Sequence, residues 1–425
     1  MKIVLIYLPH PYLKQPDAQA PLGILYLASV LRNSKVDVKI HNATSMFTYQ
    51  AIESLPKADI YGITATSFEI PQANRFAHLI KEIYYNSKII IGGPGTLSSE
   101  FIDWNVIDSA CVGDGENAIL EIINDFPNLK QSYIGKPVEN LDDIPFPARD
   151  LLEGSLGGNI FAYNKNYKIG GSTVIISSRN CPFNCAFCTA PKLREINGKT
   201  QYRSPENVYD EIRSIIDKYK IKQFRFSDDM FTANKKRAIE ICRLLKPLGI
   251  VWRISCRVKP FDTELAQYLY NAGCKEVSFG VESFDNHVLD VLGKDTTDID
   301  NASALEICHD VGIKTRILFM IRTPGQTRET VPINIKWLEK VPYNIIACTS
   351  FVPIPRSKIW DNPNKYDIEI INKNLDNYNF YFYSSCGENK LRDIIKLKGR
   401  SLKELNEETE EFRDYLKSTG KVNEG

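Results

Sequence analysis

Short apolar runs alternate with longer segments of mixed polarity along the first 140 residues of the chain. An apolar run bounded by turn residues predicts a strand buried on both faces, and the mixed segments predict helices with one apolar stripe. This alternation is typical of a parallel sheet covered by helices, so we expect a Rossmann-like α/β domain. The predicted strands are Ile3–Leu8, Val36–His41, Asp59–Thr64, Lys88–Ile91 and Ser109–Val112, and the predicted helices are Leu22–Arg32, Pro71–Tyr85 and Glu116–Phe126.

A second alternation starts at Thr173 and supplies about six strand–helix units. Parallel strands need such crossovers, and six units predict a partial (β/α)6 barrel of the TIM type rather than a closed barrel of eight strands. Active sites of barrels lie at the carboxyl ends of the strands, so each strand end is a candidate for chemistry. The predicted strands are Thr173–Ser177, Gln223–Phe226, Val251–Cys256, Glu276–Gly280, Lys314–Met320 and Ile345–Phe351, with helices opening at Ser204-Pro205 and covering Asn286–Leu292 and Ile299–Val311.

These patterns divide the chain into four parts. We expect the Rossmann-like domain at 1–140, an acidic, proline-rich linker at 141–168, the partial barrel at 169–355 and an extension at 356–425. The extension predicts a charged helix at Ser401–Thr419. Its aromatic segment, Asn364–Ser385, is compatible with a lid over the barrel and, more simply, with a cover on an apolar edge.

Composition excludes several classes of protein. Lys and Arg total 53 against 52 Asp and Glu, and the net charge of +1 gives no electrostatic reason to expect a nucleic-acid partner. The longest apolar runs, such as Ile3–Leu8 and Ile317–Ile321, are too short to span a bilayer. Ten scattered cysteines without a signal peptide favour a cytoplasmic protein over a disulfide-bonded secreted one.

The most informative motif is a run of three cysteines, Cys181, Cys185 and Cys188, with the spacing CxxxCxxC. Three thiolates on one loop can hold a four-iron cluster and leave one iron open for a ligand. A zinc site would want a fourth Cys or His near by, and no His lies between His78 and His287. Zinc and buried structural thiols remain as alternatives.

This motif resembles the radical S-adenosylmethionine (SAM) superfamily. The resemblance implies that the three cysteines bind a [4Fe-4S] cluster, whose fourth iron binds SAM and whose electron cleaves it to a 5′-deoxyadenosyl radical. Further motifs resemble the branch of that superfamily with an amino-terminal cobalamin-binding domain. They are Pro21-Leu22-Gly23-Ile24, Ile91-Gly92-Gly93-Pro94, Gly113-Asp114-Gly115-Glu116 and Leu141-Asp142-Asp143-Ile144-Pro145-Phe146-Pro147.

The same resemblance implies SAM contacts at strand ends of the barrel. Each residue also has a plainer interpretation: a packing aromatic for Phe187, a turn cap for Asp228 and ion pairs for Arg257 and Glu282. Glu282 and its neighbour Ser283 match a Gly-Ile-Glu-Ser element of the family, and a carboxylate suits the cationic SAM. The predicted SAM-binding residues are Phe187, Asp228, Arg257, Glu282 and Ser283.

Cobalamin would bind at strand ends of the first domain, where glycine lets a backbone approach a large ring. Glycine-rich turns are also ordinary turn chemistry. The chain has no Asp-x-His-x-x-Gly pattern, which supplies a lower cobalt ligand in classical cobalamin proteins. The absence of this pattern is usual in the branch that the chain resembles. The predicted cobalamin-binding residues are Thr66, Ser67, Gly92, Gly93, Gly95, Gly113 and Gly115.

The resemblance implies a cobalamin-dependent radical SAM methyltransferase that acts on an unactivated carbon of a small molecule and receives electrons from a donor such as flavodoxin or ferredoxin. A radical rearrangement, dehydration or deoxygenation enzyme without bound cobalamin is the alternative. A non-catalytic iron–sulfur sensor is a third hypothesis. The sequence identifies neither a catalytic residue nor the substrate.

Overall fold

The computed structural model describes residues 1–10, 16, 19–152, 171–378 and 394–422. Two parallel six-stranded sheets dominate this part of the chain. The first lies within the predicted Rossmann-like domain and the second within the predicted barrel. The predicted fold class is thereby confirmed.

The first sheet has the strand order β2-β1-β3-β4-β5-β6, with every neighbouring pair parallel. The order reverses at β1 and β3, and in such sheets ligands bind outside the carboxyl ends at this switch point. The strands are β1 (Lys2–Tyr7), β2 (Asp37–Asn42), β3 (Ile60–Thr64), β4 (Lys88–Gly92), β5 (Ser109–Gly113) and β6 (Ser132–Gly135), and the helices are α1 (Leu22–Asn33), α2 (Thr48–Glu53), α3 (Ile70–Ile83) and α4 (Gly115–Asp125).

The sequence-based assignment missed the short elements of this domain. Strand β6 is four residues long and exposes alternate residues, so it lacks a continuous apolar run. Helix α2 buries only Ala51. A 3₁₀ segment at Pro94–Phe101 follows the glycines after β4. Such elements are stabilised by their neighbours rather than by their own hydrophobic pattern.

The second sheet has the order β14-β13-β12-β11-β10-β7, again parallel throughout. Successive strands are neighbours without closure, as a partial barrel requires. A short antiparallel pair of strands, β8 and β9, brackets the cysteine loop and the helix that follows it. The strands are β7 (Thr173–Ile175), β8 (Ser178–Arg179), β9 (Gln201–Tyr202), β10 (Gln223–Phe226), β11 (Val251–Cys256), β12 (Cys274–Glu282), β13 (Lys314–Ile321) and β14 (Ile345–Ser350).

Helices connect these strands on one side of the sheet. Ser204 caps the first long helix by accepting a hydrogen bond from the backbone of Asn207, as the Ser-Pro signal predicted. The helices are α5 (Ala190–Asn197), α6 (Pro205–Tyr219), α7 (Lys235–Leu245), α8 (Thr263–Asn271), α9 (Asn286–Val291), α10 (Asp298–Val311) and α11 (Thr330–Leu338).

The two faces of the second sheet differ in burial. On β11, Trp252, Ile254 and Cys256 are buried in the core shared with the helices. Arg253 and Ser255, on the opposite face, are only partly buried. We call this opposite face the lumen face. Its partial exposure shows that the concave side of the sheet is accessible in the part of the chain that the structure describes.

The extension packs beside the barrel as a third cluster of apolar residues. Tyr378 is fully buried there, with its ring 5.7 Å from that of Phe68 and 6.2 Å from that of Trp360. This part of the aromatic segment covers an apolar edge, and residues 379–393 lie outside the described residues. The elements are α12 (Lys358–Asp361), β15 (Ile368–Ile370), β16 (Ile395–Leu397) and α13 (Leu402–Thr419). Among all the helices of the described residues, none has the length and apolar character needed to cross a membrane.

Candidate active site

The cysteine loop follows β8 and is held from one side by α5. The Arg194 guanidinium donates hydrogen bonds to the carbonyl oxygen atoms of Cys181 and Phe183, the latter at 3.1 Å. It also donates to the Asn184 side-chain oxygen at 2.5 Å. One planar cation therefore fixes three positions of the loop. Sequence analysis did not identify Arg194 because this residue belongs to no recognisable motif.

The other side of the loop is held by the segment after α9. The backbone nitrogen of Ala186 donates to Leu292 oxygen at 2.8 Å, and Ile359 in α12 donates to Ala186 oxygen at 3.1 Å. Gly293 has a φ of +65°, and a side chain there would lie 3.6 Å from the carbonyl oxygen of Asn184. The loop is therefore braced by two other elements of the chain.

Arg257, at the end of β11, reaches the thiols. Its Nη1 lies 2.9 Å from Cys185 Sγ, and its guanidinium carbon is 4.0 Å from the centre of the Phe183 ring. Its Nε and Nη2 atoms are buried and have no hydrogen-bond partner among the described residues. A buried cation with unused donors suits the negative charge that thiolates and a bound carboxylate bring.

The three thiols are half-buried. Burial raises the pKa of Cys188 to about 11 and also raises that of Cys181. Metal binding requires these thiols to lose their protons. Their donor set, three sulfur atoms on one loop beside a cation, fits an iron–sulfur cluster. In the described residues no three Cys, His, Asp or Glu side chains have metal-binding spacing.

Asp228, predicted as a SAM contact, ties the ends of β7 and β10 together. It accepts hydrogen bonds from the Ser177 backbone at 2.6 Å and from the hydroxyls of Ser177 and Ser178 at 2.5 and 2.9 Å. Its side chain is buried. The geometry gives this carboxylate a positioning task at the start of the cysteine loop, and direct contact with SAM stays a prediction.

Its neighbour Asp229 faces the loop and was not singled out by sequence analysis. Solvent still reaches the side chain, yet the crowded surroundings and Asp228 raise its pKa. Its negative charge in turn contributes to the raised pKa of Cys181 and Cys188. The signal in the sequence was the pair of adjacent carboxylates. Successive side chains of an extended segment point to opposite sides, so Asp228 and Asp229 face different surroundings.

Glu282 ends β12 in a strained backbone conformation, with a φ of +65°. Its carboxylate folds back over Gly280 and lies 3.3 Å from the buried ammonium of Lys294, which also donates to the Gly280 oxygen at 2.7 Å. A left-handed glutamate persists only where its surroundings hold it, and such residues concentrate at functional sites. Lys294 had no recognisable motif and escaped sequence analysis.

The remaining predicted SAM residues have local contacts. Ser283 donates to the Asn334 side-chain oxygen at 3.1 Å and accepts from the Asp285 backbone at 3.0 Å. Phe187 is half-buried and packs against the apolar cluster of the extension. Their roles in SAM binding stay predictions.

A cleft opens at the carboxyl ends of the first sheet and encloses about 990 Å³ of empty space, part of it open to solvent. It runs between the sheet and helices α1 and α4 and ends against the barrel. Gly62 forms part of its wall, and a side chain there would lie 2.7 Å from Leu5 Cδ2. The wall residues on which the argument depends are Tyr26, Gly62, Thr64, Gly92, Gly93, Cys111, Gly113, Asp114, Gly115, Glu116, Ile176 and Arg179.

Four predicted cobalamin residues, Gly92, Gly93, Gly113 and Gly115, line this cleft. Gly95 does not; a side chain there would lie 2.6 Å from the Thr66 carbonyl oxygen, so glycine serves the packing of two loops. Thr66 and Ser67 are also absent from the lining. The Thr66 hydroxyl is buried and has no hydrogen-bond partner in the described chain.

The far wall of the cleft is a network of charges shared by both domains. Arg179, two residues before the first cysteine, donates to the Glu116 carboxylate at 2.6 and 3.1 Å and lies 3.6 Å from Asp114. Its guanidinium carbon is 5.6 Å from the Tyr26 ring centre. Burial raises the pKa of Tyr26. The cysteine loop and the cleft are thus joined by a buried bidentate ion pair.

Comparison with known proteins defines the class. The family model described as "B12 binding domain" matches residues 17–123, and the one described as "Radical SAM superfamily" matches residues 175–338. The first match covers β2 to β5 of the first sheet, and the second covers β10 to β13 of the second sheet. The chain belongs to the radical SAM superfamily, in the branch that also carries a B12-binding domain. It is an enzyme, and its cofactors are a [4Fe-4S] cluster, SAM and cobalamin.

Individual relatives narrow the class. The chain is 32% identical over 369 residues to "Uncharacterized methyltransferase PH0819" of Pyrococcus horikoshii, covering 80% of this chain and 78% of that protein. It is 26% identical over 387 residues to the anaerobic magnesium-protoporphyrin IX monomethyl ester cyclase of Rubrivivax gelatinosus, covering 83% and 68%.

Among solved structures, the methyltransferase TsrM of Kitasatospora setae, with cobalamin and a [4Fe-4S] cluster bound, shares the fold. The TM-score is 0.68 at 16% identity, over 88% of this chain and 81% of that one. The relatives support a methyltransferase acting on an unactivated carbon, as predicted from the sequence.

Proposed function

We propose that this enzyme methylates an unactivated carbon of a small molecule that binds between the two sheets. The observation that carries the proposal is the cleft at the carboxyl ends of the first sheet, whose far wall, Ile176 and Arg179, leads directly into the cysteine loop. The carbon acceptor can therefore lie between the two cofactor sites.

Cys181, Cys185 and Cys188 would hold the cluster, and Arg257 would balance its negative charge. Bound there, the cluster supplies the electron that cleaves SAM, and cobalamin carries the methyl group. Arg194 positions the loop through the carbonyl groups it binds. An external reductant, such as a flavodoxin or ferredoxin, would deliver the electron.

Glu282 would bind the cationic part of SAM, oriented by its contact with Lys294. Arg257, with two unused buried donors, would bind the SAM carboxylate. Phe187 would contact the adenine, and Ser283 and Asp228 would fix the strand ends that carry these groups. A dry, charged rim of this kind orients a charged ligand and excludes water.

The cleft of the first domain would hold cobalamin, with Gly92, Gly93, Gly113 and Gly115 against the ring. The apolar slot between sheet and helices, kept open at Gly62, suits a planar aromatic group. We assign a second gap between the domains to the substrate. Its lining includes Tyr7, Thr64, Val174, Ile176 and Ser227.

A rearrangement or ring-forming enzyme is the second candidate, favoured by the similarity to the cyclase. We also propose a cytoplasmic location, because none of the nine cysteines in the described residues forms a disulfide.

The first prediction concerns the cluster. Replacing Cys181, Cys185 and Cys188 by Ala removes all three proposed ligands, so the anaerobically reconstituted protein should lose its iron, its sulfide and all formation of 5′-deoxyadenosine. Cys242→Ala, a buried cysteine on α7, is the matched control and should keep both. Undiminished iron and sulfide in the triple variant would contradict the ligand assignment.

The same preparation separates the two candidate functions. Methyl transfer through cobalamin consumes SAM both as methyl donor and as radical source, so S-adenosylhomocysteine and 5′-deoxyadenosine should both accumulate, and protein supplied with hydroxocobalamin should keep corrin absorbance after gel filtration. Formation of 5′-deoxyadenosine alone, by protein free of corrin, would reject methyl transfer in favour of rearrangement.

A further inference from the structure

Three arginines lie on the lumen face of the second sheet, away from the cysteine loop. Arg225 on β10 stands beside Arg253 on β11 in the parallel register. Arg253 stands beside Glu276 on β12, and Arg316 on β13 is two positions further along. Arg253 precedes Arg257 by four residues, which corresponds to roughly 13 Å along a strand. The arginines are therefore deeper in the barrel than the cluster.

Among the described residues, the carboxylate of Glu276 lies beside Arg253 and Arg316 at this level of the lumen. Glu276 Oε1 lies 3.1 Å from Arg253 Nη1 and 3.5 Å from Arg316 Nε. Its other carboxylate oxygen is buried and has no hydrogen-bond partner in the described residues. Burial raises the pKa of Glu276 to about 7, which leaves part of the population neutral at physiological pH. Glu276 therefore pairs with Arg253 and Arg316, and among the described residues no contact joins it to Arg225.

Arg225 has the weakest compensation. Within the part of the chain that the structure describes, its guanidinium makes neither a hydrogen bond nor an ion pair. Burial and the neighbouring Arg316 both disfavour its charged form. A partly buried cation without a partner has lost much of its hydration, which is costly to the fold. A chain that keeps such a cation inside a functional barrel has a use for it as a binding group.

The arginines are close to the proposed substrate space. Val174 is the register neighbour of Arg225, and Val174 also lines the gap between the domains. The lumen-facing positions Arg225, Arg253 and Arg316 are only partly buried, unlike the positions that face the helices. A small molecule entering through the gap can therefore extend to Arg225.

We infer that Arg225, with Arg253 and Arg316 beside it, binds an oxyanion group of the substrate, a carboxylate or a phosphate. This inference rests on the proposed function and adds the chemical class of its substrate. The planar fork of an arginine pairs with such groups through two parallel hydrogen bonds. Glu276 holds Arg253 and Arg316 in place, and Arg225 supplies the uncommitted fork. An anion fixed at this depth directs the remainder of the substrate toward the strand ends.

The test uses acetate and inorganic phosphate as probes, with acetamide as the uncharged control. A ligand that binds the folded protein raises its melting temperature in a saturable way. We expect saturable shifts with at least one anion and none with acetamide, at constant ionic strength. The tighter of the two anions identifies the group that the substrate carries.

Arg225→Gln should weaken anion binding at least tenfold, and Arg225→Lys, which keeps the charge but loses the fork, at least threefold. Arg213→Gln, on the exposed face of α6, is the matched control and should bind as the unaltered enzyme does. Equal affinity in the unaltered enzyme and either Arg225 variant, or no saturable binding by the unaltered enzyme, would overturn the inference. Since the titration requires neither cluster nor turnover, it gives an answer even if SAM cleavage, the test of the proposed function, fails.

Discussion

At the scale of single residues, the strand end that carries the proposed SAM contact Glu282 depends on a buried pair of opposite charges. Glu282 and Lys294 have side chains that are 11% and 3% exposed, so neither charge is stabilised by bulk water. Removing one partner of a buried pair leaves the other uncompensated, which costs about 3–5 kcal/mol, whereas replacing both costs far less. The pair is held at the end of β12 by a glutamate with a φ of +65°.

The second prediction tests this pair. Glu282→Gln keeps the shape but loses the charge, so SAM should bind at least tenfold more weakly while the absorption spectrum of the cluster is retained. Equilibrium binding of SAM to the reconstituted protein measures the effect. Glu264→Gln on the surface of α8 is the control and should leave SAM affinity unaltered. If SAM affinity is the same in Glu282→Gln, the carboxylate only stabilises Lys294.

Sequence analysis at this scale found the residues that carry a motif and missed those that act through geometry. Cys181 and Glu282 were recognisable because their neighbours in sequence form a pattern. Arg194 and Lys294 contact the same site from distant elements, and a single basic residue on a helix is most often a solvated surface group. Only the fold brings them to the site.

At the scale of elements, the strands with a continuous apolar run were predicted to within one or two residues, and β10 and β11 were predicted at their observed bounds. The antiparallel pair of β8 and β9 was missed because each strand has two residues. Charged residues on the lumen face were not recognised in the sequence, because that face takes only every second position of each strand and the apolar pattern of the other face stays intact. These residues are Arg225, Arg253, Glu276 and Arg316.

The third prediction concerns Glu276 and pH. Burial raises its pKa from an ordinary 4.5 to about 7 in the folded protein. A group whose pKa is raised on folding contributes stability below its unfolded pKa and loses that contribution as pH rises through the folded value. Relative to Glu276→Gln, the unaltered protein should therefore lose up to about 3 kcal/mol of unfolding free energy between pH 5 and pH 8.

Urea unfolding of both proteins at several pH values measures this difference. Glu306→Gln on α10 serves as the control for a general effect of losing one carboxylate. A difference that is flat from pH 5 to pH 8, or one that grows with pH, would show that the two neighbouring arginines keep Glu276 ionised throughout.

At the scale of the whole molecule, the two domains are joined by polar contacts that no sequence pattern predicted. Arg179 and Glu116 are separated by 63 positions and lie in different domains. The segment before residue 153 adds further contacts: Arg32 on α1 pairs with Asp150 at 2.7 Å, and the buried Arg149 pairs with Glu211 at 2.7 Å. The order of domains was predictable from the βα alternation, but their mutual orientation depends on such pairs.

The fourth prediction tests the Arg179–Glu116 bridge. Arg179→Gln removes the bidentate contact that closes the cleft, so the protein should lose cobalamin on gel filtration while its iron and sulfide content stays unchanged. Arg243→Gln on the exposed side of α7 is the control. Full retention of the corrin by Arg179→Gln would mean that the first domain binds it without help from the barrel.

The composite cleft also bears on how the enzyme matures in a growing cell. Ile176 and Arg179, which complete its wall, are synthesised long after the glycine turns opposite them. A nascent chain in which only the first sheet has left the ribosome therefore has an incomplete cleft. Binding of the corrin would then follow assembly of the barrel. Once loaded, the cofactor would stabilise the folded protein by mass action. Vitamin supply would then govern the lifetime of the mature enzyme as well as its chemistry.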